Sequence, residues 1–341
     1  MPFCTACGHN VEGADQPCPR CRPDLLAARP FSFHGSGGAL LKIYLVTFLL
    51  SIVTVGIYSF WGRAKARRYI AGSVEFLGDR FRYHGTGGEM LRGFVAAALI
   101  LAILVGQMFL WMFALGEDRG AAIGTGVLVL ASILLGPIAT VGAWRYRLSR
   151  TSWREIRFSF HGRTGEFVWI FVKGFLLSVV TLMLYTPWFT ADIHRFLVSN
   201  TRFGDARFQF DGHGRDLFKP FAIALLLAIP TLTISLYWFQ IQQANYFFGH
   251  TTILGSRFQL NLTMVEFFGT FLGAYMIAVF TLFVGYPWAQ CMVLRHVFSR
   301  LSLAGHLPLD QIHQSLSDAS ATGDMLGQLM DSGGLDISLG L

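Results

Sequence analysis

Cys4, Cys7, Cys18 and Cys21 form two CxxC pairs, each next to or enclosing a glycine or proline, with ten residues between the pairs. Two thiolates at that spacing grip one ion through a tight turn, and two such turns complete a tetrahedral site that favours zinc. A redox pair and disulfides are the competing chemistries of the same four residues. The expected zinc is structural, because residues 1–25 are too few to fold alone. A reduced Cys4 site also implies a cytosolic position for this module. His9 is a spare ligand that four cysteines do not need, and Cys291 reads as ordinary packing.

Other groups able to do chemistry stand at fixed places in a pattern. The stretch FLGDRFRYHGTGGE, residues 76–89, sets it, with His84 as a register mark matched by His34, His161, Asp211 and Asn261. The histidines His34, His84 and His161 are open to two readings. Pseudosymmetry could gather them into a metal or proton-handling cluster, or each could close a strand by bonding nearby backbone, a role that Asp and Asn also fill. Four residues before the mark stand Arg80, Arg157, Arg207 and Arg257, suited to lipid headgroups, an anionic substrate or pairing with acids. Five residues after it stand Glu89, Glu166, Asp216 and Glu266, which either line the mouth of a pathway or complement the N–H groups of a helix start. Lys173 is the most unusual charge, two turns into an apolar segment, and is a candidate contact for a transported anion or ion. No nucleophile elbow, P-loop, paired carboxylates or HExxH motif is present, so no catalytic residue and no enzyme activity is expected.

The elements that carry these residues are membrane-length. The chain has 341 residues, 53% of them hydrophobic and only 14% charged, with a mean hydropathy of +0.49. Apolar segments long enough to cross a bilayer fall at approximately 39–61, 91–115, 121–144, 167–188, 217–238 and 267–288. The expected fold is therefore a membrane α-helical protein with six spans. Its net charge of +7 is mostly arginine between the segments, which suits membrane lipids as partners and not nucleic acid.

Marks fifty residues apart, with a longer interval from His84 to His161, make the chain a five-fold strand/hairpin-plus-helix repeat with one inserted helix. Alternating aromatics before each mark predict short extramembrane β-hairpins, with clear turns at 74–83, 201–210 and 251–260 and no turn glycine at 152–160. Because a lone hairpin is marginal in water, the five are expected to pair into a small sheet or pack on surface helices. A tryptophan follows each mark by twenty-seven residues: Trp61, Trp111, Trp188, Trp238 and Trp288. After Trp288 no new strand is expected. The domains are then the zinc-ribbon module 1–25, the repeat-built polytopic domain 30–305, and an acidic, mostly disordered tail 306–341.

Six crossings conflict with the positive-inside bias, because the Arg-rich links 61–92 and 145–165 would face away from a cytosolic zinc module. Three resolutions are open: a first segment broken at Thr54-Val-Gly56-Ile-Tyr58 and re-entrant, which is preferred; an inverted topology that exports the zinc module; or a charge bias too weak to decide.

The stretch GIYSFWGRAKARRYIAGSVEFLGDRFRYHGTGGEML, through Gly56, Tyr58, Trp61, Gly78, Phe81, Tyr83, His84 and Gly85, resembles the YjgN-like family of bacterial inner-membrane proteins. The resemblance covers about 31–305 and implies a multi-pass protein of the bacterial inner membrane; it implies no activity. Two functions follow as expectations. One is a transporter or channel for a small solute or ion; the other is a non-catalytic scaffold or sensor whose zinc module or tail binds a protein partner or lipid.

Overall fold

The structure, a computed structural model, describes residues 28–305 together with Leu307 and Ile312. The cysteine module, and the tail apart from those two residues, lie outside the described residues.

Ten short strands close into one antiparallel barrel. They are β1 (Arg29–Phe33), β2 (Val74–Phe76), β3 (Asp79–Tyr83), β4 (Thr151–Trp153), β5 (Ile156–Phe160), β6 (Thr201–Phe203), β7 (Ala206–Phe210), β8 (Thr251–Ile253), β9 (Ser256–Leu260) and β10 (Leu301–Ala304). Two-residue turns join β2 to β3, β4 to β5, β6 to β7 and β8 to β9. Leu77-Gly78 and Leu254-Gly255 have the left-handed φ values that suit twisted hairpins. Arg154-Glu155 adopts the same conformation without glycine. Ion pairs from Arg154 to Asp79 and from Arg82 to Glu155 hold it there.

The fifth hairpin is split. Contrary to the expectation that no strand follows Trp288, β10 forms and pairs with β1, Arg29 facing Leu303 and Pro30 facing Ser302. The first and last described strands thus complete each other, and the barrel has no exposed edge.

From the barrel hang helical hairpins: α1 (Gly37–Val53) with α2 (Ser59–Ser73), α3 (Gly87–Leu115) with α4 (Glu117–Ser149), α5 (Thr164–Val180) with α6 (Thr186–Ser199), α7 (Gly214–Leu226) with α8 (Ile234–Gly249), and α9 (Met264–Phe280) with α10 (Tyr286–Arg300). This overturns the six-span helical fold. Among the described residues only α3 and α4 are long and apolar enough to cross a membrane. The segments expected at 39–61, 167–188, 217–238 and 267–288 are each broken past the middle and turn back toward the barrel. The break foreseen only for the first segment occurs in four.

A threonine stands twenty residues past four of the five marks, at each of these breaks. Thr54, Thr181, Thr231 and Thr281 each donate a hydroxyl hydrogen to the carbonyl four residues back and accept the N–H four residues ahead, at 2.6–3.2 Å. The chain then turns through left-handed residues, Val55-Gly56, Leu182-Met183, Leu232-Thr233 and Leu282-Phe283. In an apolar setting, backbone groups freed at a break need such partners. Leu104 stands at the matching place in α3, and there the helix runs on. Thr181→Val, equal in shape but without the hydroxyl, is expected to lower stability by about 1–3 kcal/mol, read as a lowered Tm, while Leu104→Val has little effect.

The long hairpin is no inserted helix after a complete unit: both of its arms are extended, and they meet at Gly116. Trp111 therefore lies near its tip, not at the place of Trp61, Trp188, Trp238 and Trp288 on the returning arms. The tips also differ chemically. The short tips are bare and apolar, with Val55 91%, Leu182 83%, Ile229 88% and Leu282 84% exposed. The long tip carries Glu117, Asp118 and Arg119.

Candidate functional site

Each joint between strand and descending helix is built alike. The register residue's N–H donates to the end of the returning helix: His34 to Ser73, His84 to Arg150, His161 to Asn200, Asp211 to His250 and Asn261 to Arg300, at 2.7–3.2 Å. The glycine that follows Phe33, Tyr83, Phe160 or Phe210 by two leaves room for that residue's ring, which folds back over it. A second set of bonds ties neighbouring hairpins. Arg68, Arg145 and Arg195 donate to the carbonyls of Gly85, Gly162 and Gly212, Asn245 to that of Leu262, and Arg295 closes the ring on Gly35 at 3.0 Å. These five residues, spaced alike before each joint, were missed as a set in the sequence because Asn245 hides the pattern.

The helices pack around the ring with one gap. Trp61, Trp188 and Trp288 sit directly against Gly87, Gly214 and Gly37, and α2 packs on α3, α6 on α7 and α10 on α1. Met264 occupies the corresponding place on α9. There α8 and α9 make little contact, whereas α5, which has Thr164 at the same place, packs on α4.

The joints separate most of the predicted site residues. His34 bonds Ser32 and faces Glu75, His84 bonds Ser152 at 2.8 Å, and His161 bonds Ser159. Each serves its own strand neighbour, and no group of metal-binding side chains forms among the described residues. Burial, and then Arg157, lowers the pKa of His84; burial, and then Arg202, does the same for His161.

Among the acids, burial opposes the charge of Glu89. The Arg150 bond at 2.8 Å, the Thr86 capping box and Tyr146 together outweigh it and lower its pKa. Asp216 accepts from Tyr246 at 2.6 Å and Glu266 from Arg300 at 2.7 Å, while Glu166 lies in the first turn of α5. Of the arginines, Arg80 faces Glu75 at 3.7 Å, Arg257 donates to Asp211 at 2.9 Å, Arg207 donates to the Ser199 carbonyl, and Arg157 lies near enough to His84 to disfavour its charge. Lys173 is exposed on α5 and lines neither of the cavities below.

What the fold does bring together is different. A chamber of about 390 Å³ lies among α1, α2, α10 and the barrel ends of α4 and β3, and Arg63, Arg67 and Arg147 face into it. Tyr44, Tyr83, Tyr286, Gln290, Thr47 and Ser59 supply its other polar groups. Tyr44 donates to Gln290 at 2.7 Å, which fixes that wall. Three guanidiniums and several hydroxyl donors around one space suit an anion. Arg63 and Arg67 belong to a run that reads from sequence as a membrane-surface stretch. Only the return of α2 beneath the barrel turns that run inward.

The barrel lumen is the second cavity, about 370 Å³ and almost wholly apolar. Phe31, Phe81, Phe158, Phe208 and Phe258 form a closed ring, each centroid 6.2–6.5 Å from the next and neighbouring planes 18–28° apart. Five planes at such small angles around a five-membered ring must all lie near the plane perpendicular to the axis. The rings form an iris. Thr151 lines both cavities, so chamber and lumen adjoin there.

His194 also lines the lumen, stacked on Phe247 with centroids 4.2 Å apart. Its buried Nε2 has no hydrogen-bond partner, and burial lowers its pKa from 6.5 to about 4. The unfolded chain therefore takes up this proton first. Stability is whole above pH 6.5 and is lost as pH falls toward 4, by about 2 kcal/mol at pH 5. His194→Phe is expected to remove that share of the difference between thermal unfolding at pH 7 and pH 5.

The family described as "Bacterial protein of unknown function (DUF898)" matches residues 28–236 and 221–329. Inner membrane protein YjgN of Escherichia coli K12 is 28% identical over 140 residues, 41% of this chain and 33% of that protein. Inner membrane protein YjgN of Escherichia coli O157:H7 is 43% identical over 51 residues, 15% of this chain and 13% of that protein. The matches span a third or less of the relatives' length. No solved structure matches significantly. The chain thus belongs to the DUF898 family of bacterial proteins of unknown function, and it is similar to proteins of the inner membrane.

Proposed function

We propose that this protein is a membrane-embedded transporter or channel for a small anion, held between α2 and α4 by Arg63, Arg67 and Arg147. The observation that carries the reading is the chamber itself, a partly open cavity lined by three arginines and several hydroxyls. Such convergent donors in a cavity between helices are what a solute site needs.

The proposed topology places the barrel on one face of the membrane. At 1.5 Å per residue the 17-residue arms reach about 25 Å, short of a hydrocarbon core of about 30 Å. The apolar short tips stay in lipid, while the charged tip at Glu117, Asp118 and Arg119 emerges on the far side. Every Arg-rich link then lies on the barrel side, and the conflict with the positive-inside bias disappears.

The reading is tested by phosphate binding and flux with the purified full chain in proteoliposomes. Saturable uptake of labelled phosphate supports transport. Binding without flux favours a sensor or scaffold, and the absence of both removes the reading.

Cys4, Cys7, Cys18 and Cys21 are proposed to hold a structural zinc ion in a cytosolic module that binds a protein partner. Their spacing supports this, and the metal content of purified protein before and after Cys18→Ser tests it.

A further inference from the structure

We infer that the barrel lumen is a hydrocarbon-chain site adjoining the arginine chamber, so that the ligand is an anionic amphiphile: a carboxylate or phosphate head on a single acyl chain. This rests on the anion reading of the chamber and narrows its substrate class.

The two cavities meet at Thr151. On one side stand Arg63, Arg67 and Arg147; on the other stands a wall of phenylalanine, Trp153 and aliphatic side chains. A small inorganic anion would use only the first. Each volume lies in the range of small-molecule sites, and a single ligand that fills both is an amphiphile. Headgroup charge meets guanidinium, and hydrocarbon leaves water for an aromatic lining.

The wall is not uniformly apolar. His194 Nε2 is buried without a partner where α6 meets the lumen. An unsatisfied polar atom in an apolar wall is costly, and an ester or carboxyl oxygen passing along the chain site offers it a partner. The iris sets the far limit. A regular pentagon with sides near 6.4 Å has its corners about 5.4 Å from its centre, and once ring atoms and their radii are allowed for, the opening is about 2 Å in radius, which ends the chain site there and excludes a sterol or branched lipid. Leu307, from the chain's own tail, lines the same lumen, so the tail meets the bound chain.

Trp144 and Trp153 line the lumen and the other six tryptophans line neither cavity, which supplies a direct reporter. The full chain in nanodiscs of unlabelled lipid is titrated with 9,10-dibromostearate, whose bromines quench indole on contact. The expected result is saturable quenching that is lost in the Trp144→Phe/Trp153→Phe double variant. Arg67→Gln and Arg147→Gln are each expected to raise the half-saturation concentration at least tenfold without changing the plateau. A brominated lysophosphatidate tests the phosphate head in the same way. Correct folding of every variant is read from its elution volume and from the Trp188 and Trp238 emission that remains.

Quenching that rises linearly with mole fraction and ignores both lumen tryptophans overturns the inference. If inorganic phosphate binds as tightly as dibromostearate, the chain site falls while the anion chamber stands. If neither probe binds, both fall.

Discussion

Gly37→Val is expected to prevent the protein from folding to a stable state. A Cβ at this position meets the Trp288 side chain and, at 2.8 Å, its backbone Cα. A flexible side chain could swing aside, but a helix backbone cannot. The position lies where α10 closes on α1, the contact that completes the ring, and two other closing interactions depend on the same fit. Arg295 donates to Gly35 at 3.0 Å, and β10 pairs with β1 through Arg29 and Leu303. Forcing these apart adds overpacking and lost hydrogen bonds, together about 3 kcal/mol or more. Fluorescence-detected size exclusion of the detergent-extracted protein is expected to show aggregated material in place of a monodisperse peak. Gly38→Val, one residue along, has nothing within 4 Å of its new Cβ and is the control. Met264→Gly, at the loose seam between α8 and α9, is expected to be tolerated.

Arg67→Gln combined with Arg147→Gln is expected to weaken phosphate binding by two orders of magnitude or more. Each guanidinium contributes charge-assisted hydrogen bonds whose loss costs about 1.5–3 kcal/mol, so two losses give a factor of about 100 or more at 25 °C. Glutamine keeps much of the length and hydrogen bonding while removing the charge, so a large effect reports charge. The check is isothermal titration of the detergent-solubilised variant with phosphate, with Lys173→Gln alongside. Lys173 lies on the exposed side of α5 and is expected to change nothing, so an effect from Lys173→Gln with none from the arginines would put the site elsewhere.

Much of this fold is readable in the sequence, but one level of it is not. The aromatic alternation ending at His84 and the turn at Leu77-Gly78 declare a hairpin, and similar cues mark those at 201–210 and 251–260. The strand β10 is not declared, because Leu301 to Ala304 alternate too briefly, and their value lies in a partner at the other end of the chain. Hydropathy alone also misleads about the helices. Residues 167–188 carry enough apolar side chains to span, and the turn back at Thr181 is decided by one hydroxyl and a backbone that adopts left-handed φ without glycine. The cue was present in four threonines at one offset and absent at Leu104.

The candidate site was legible only in its parts. His34, His84, His161 and the acids have the right spacing to be joints, and the joints hold them far from one another. Arg63, Arg67 and Arg147 belong to two different basic stretches, and the packing of neighbouring hairpins brings them to one chamber.

Cysteine accessibility in intact cells and in inverted membrane vesicles tests the one-sided arrangement most directly. Arg163→Cys and His213→Cys lie at exposed joints, and Asp118→Cys at the exposed long tip. Labelling by a membrane-impermeant maleimide, above that of the unsubstituted chain, is predicted for 163 and 213 from the same face and for 118 from the opposite face. Six separate crossings would place 163 and 213 on opposite faces, and that result would contradict the structure described above.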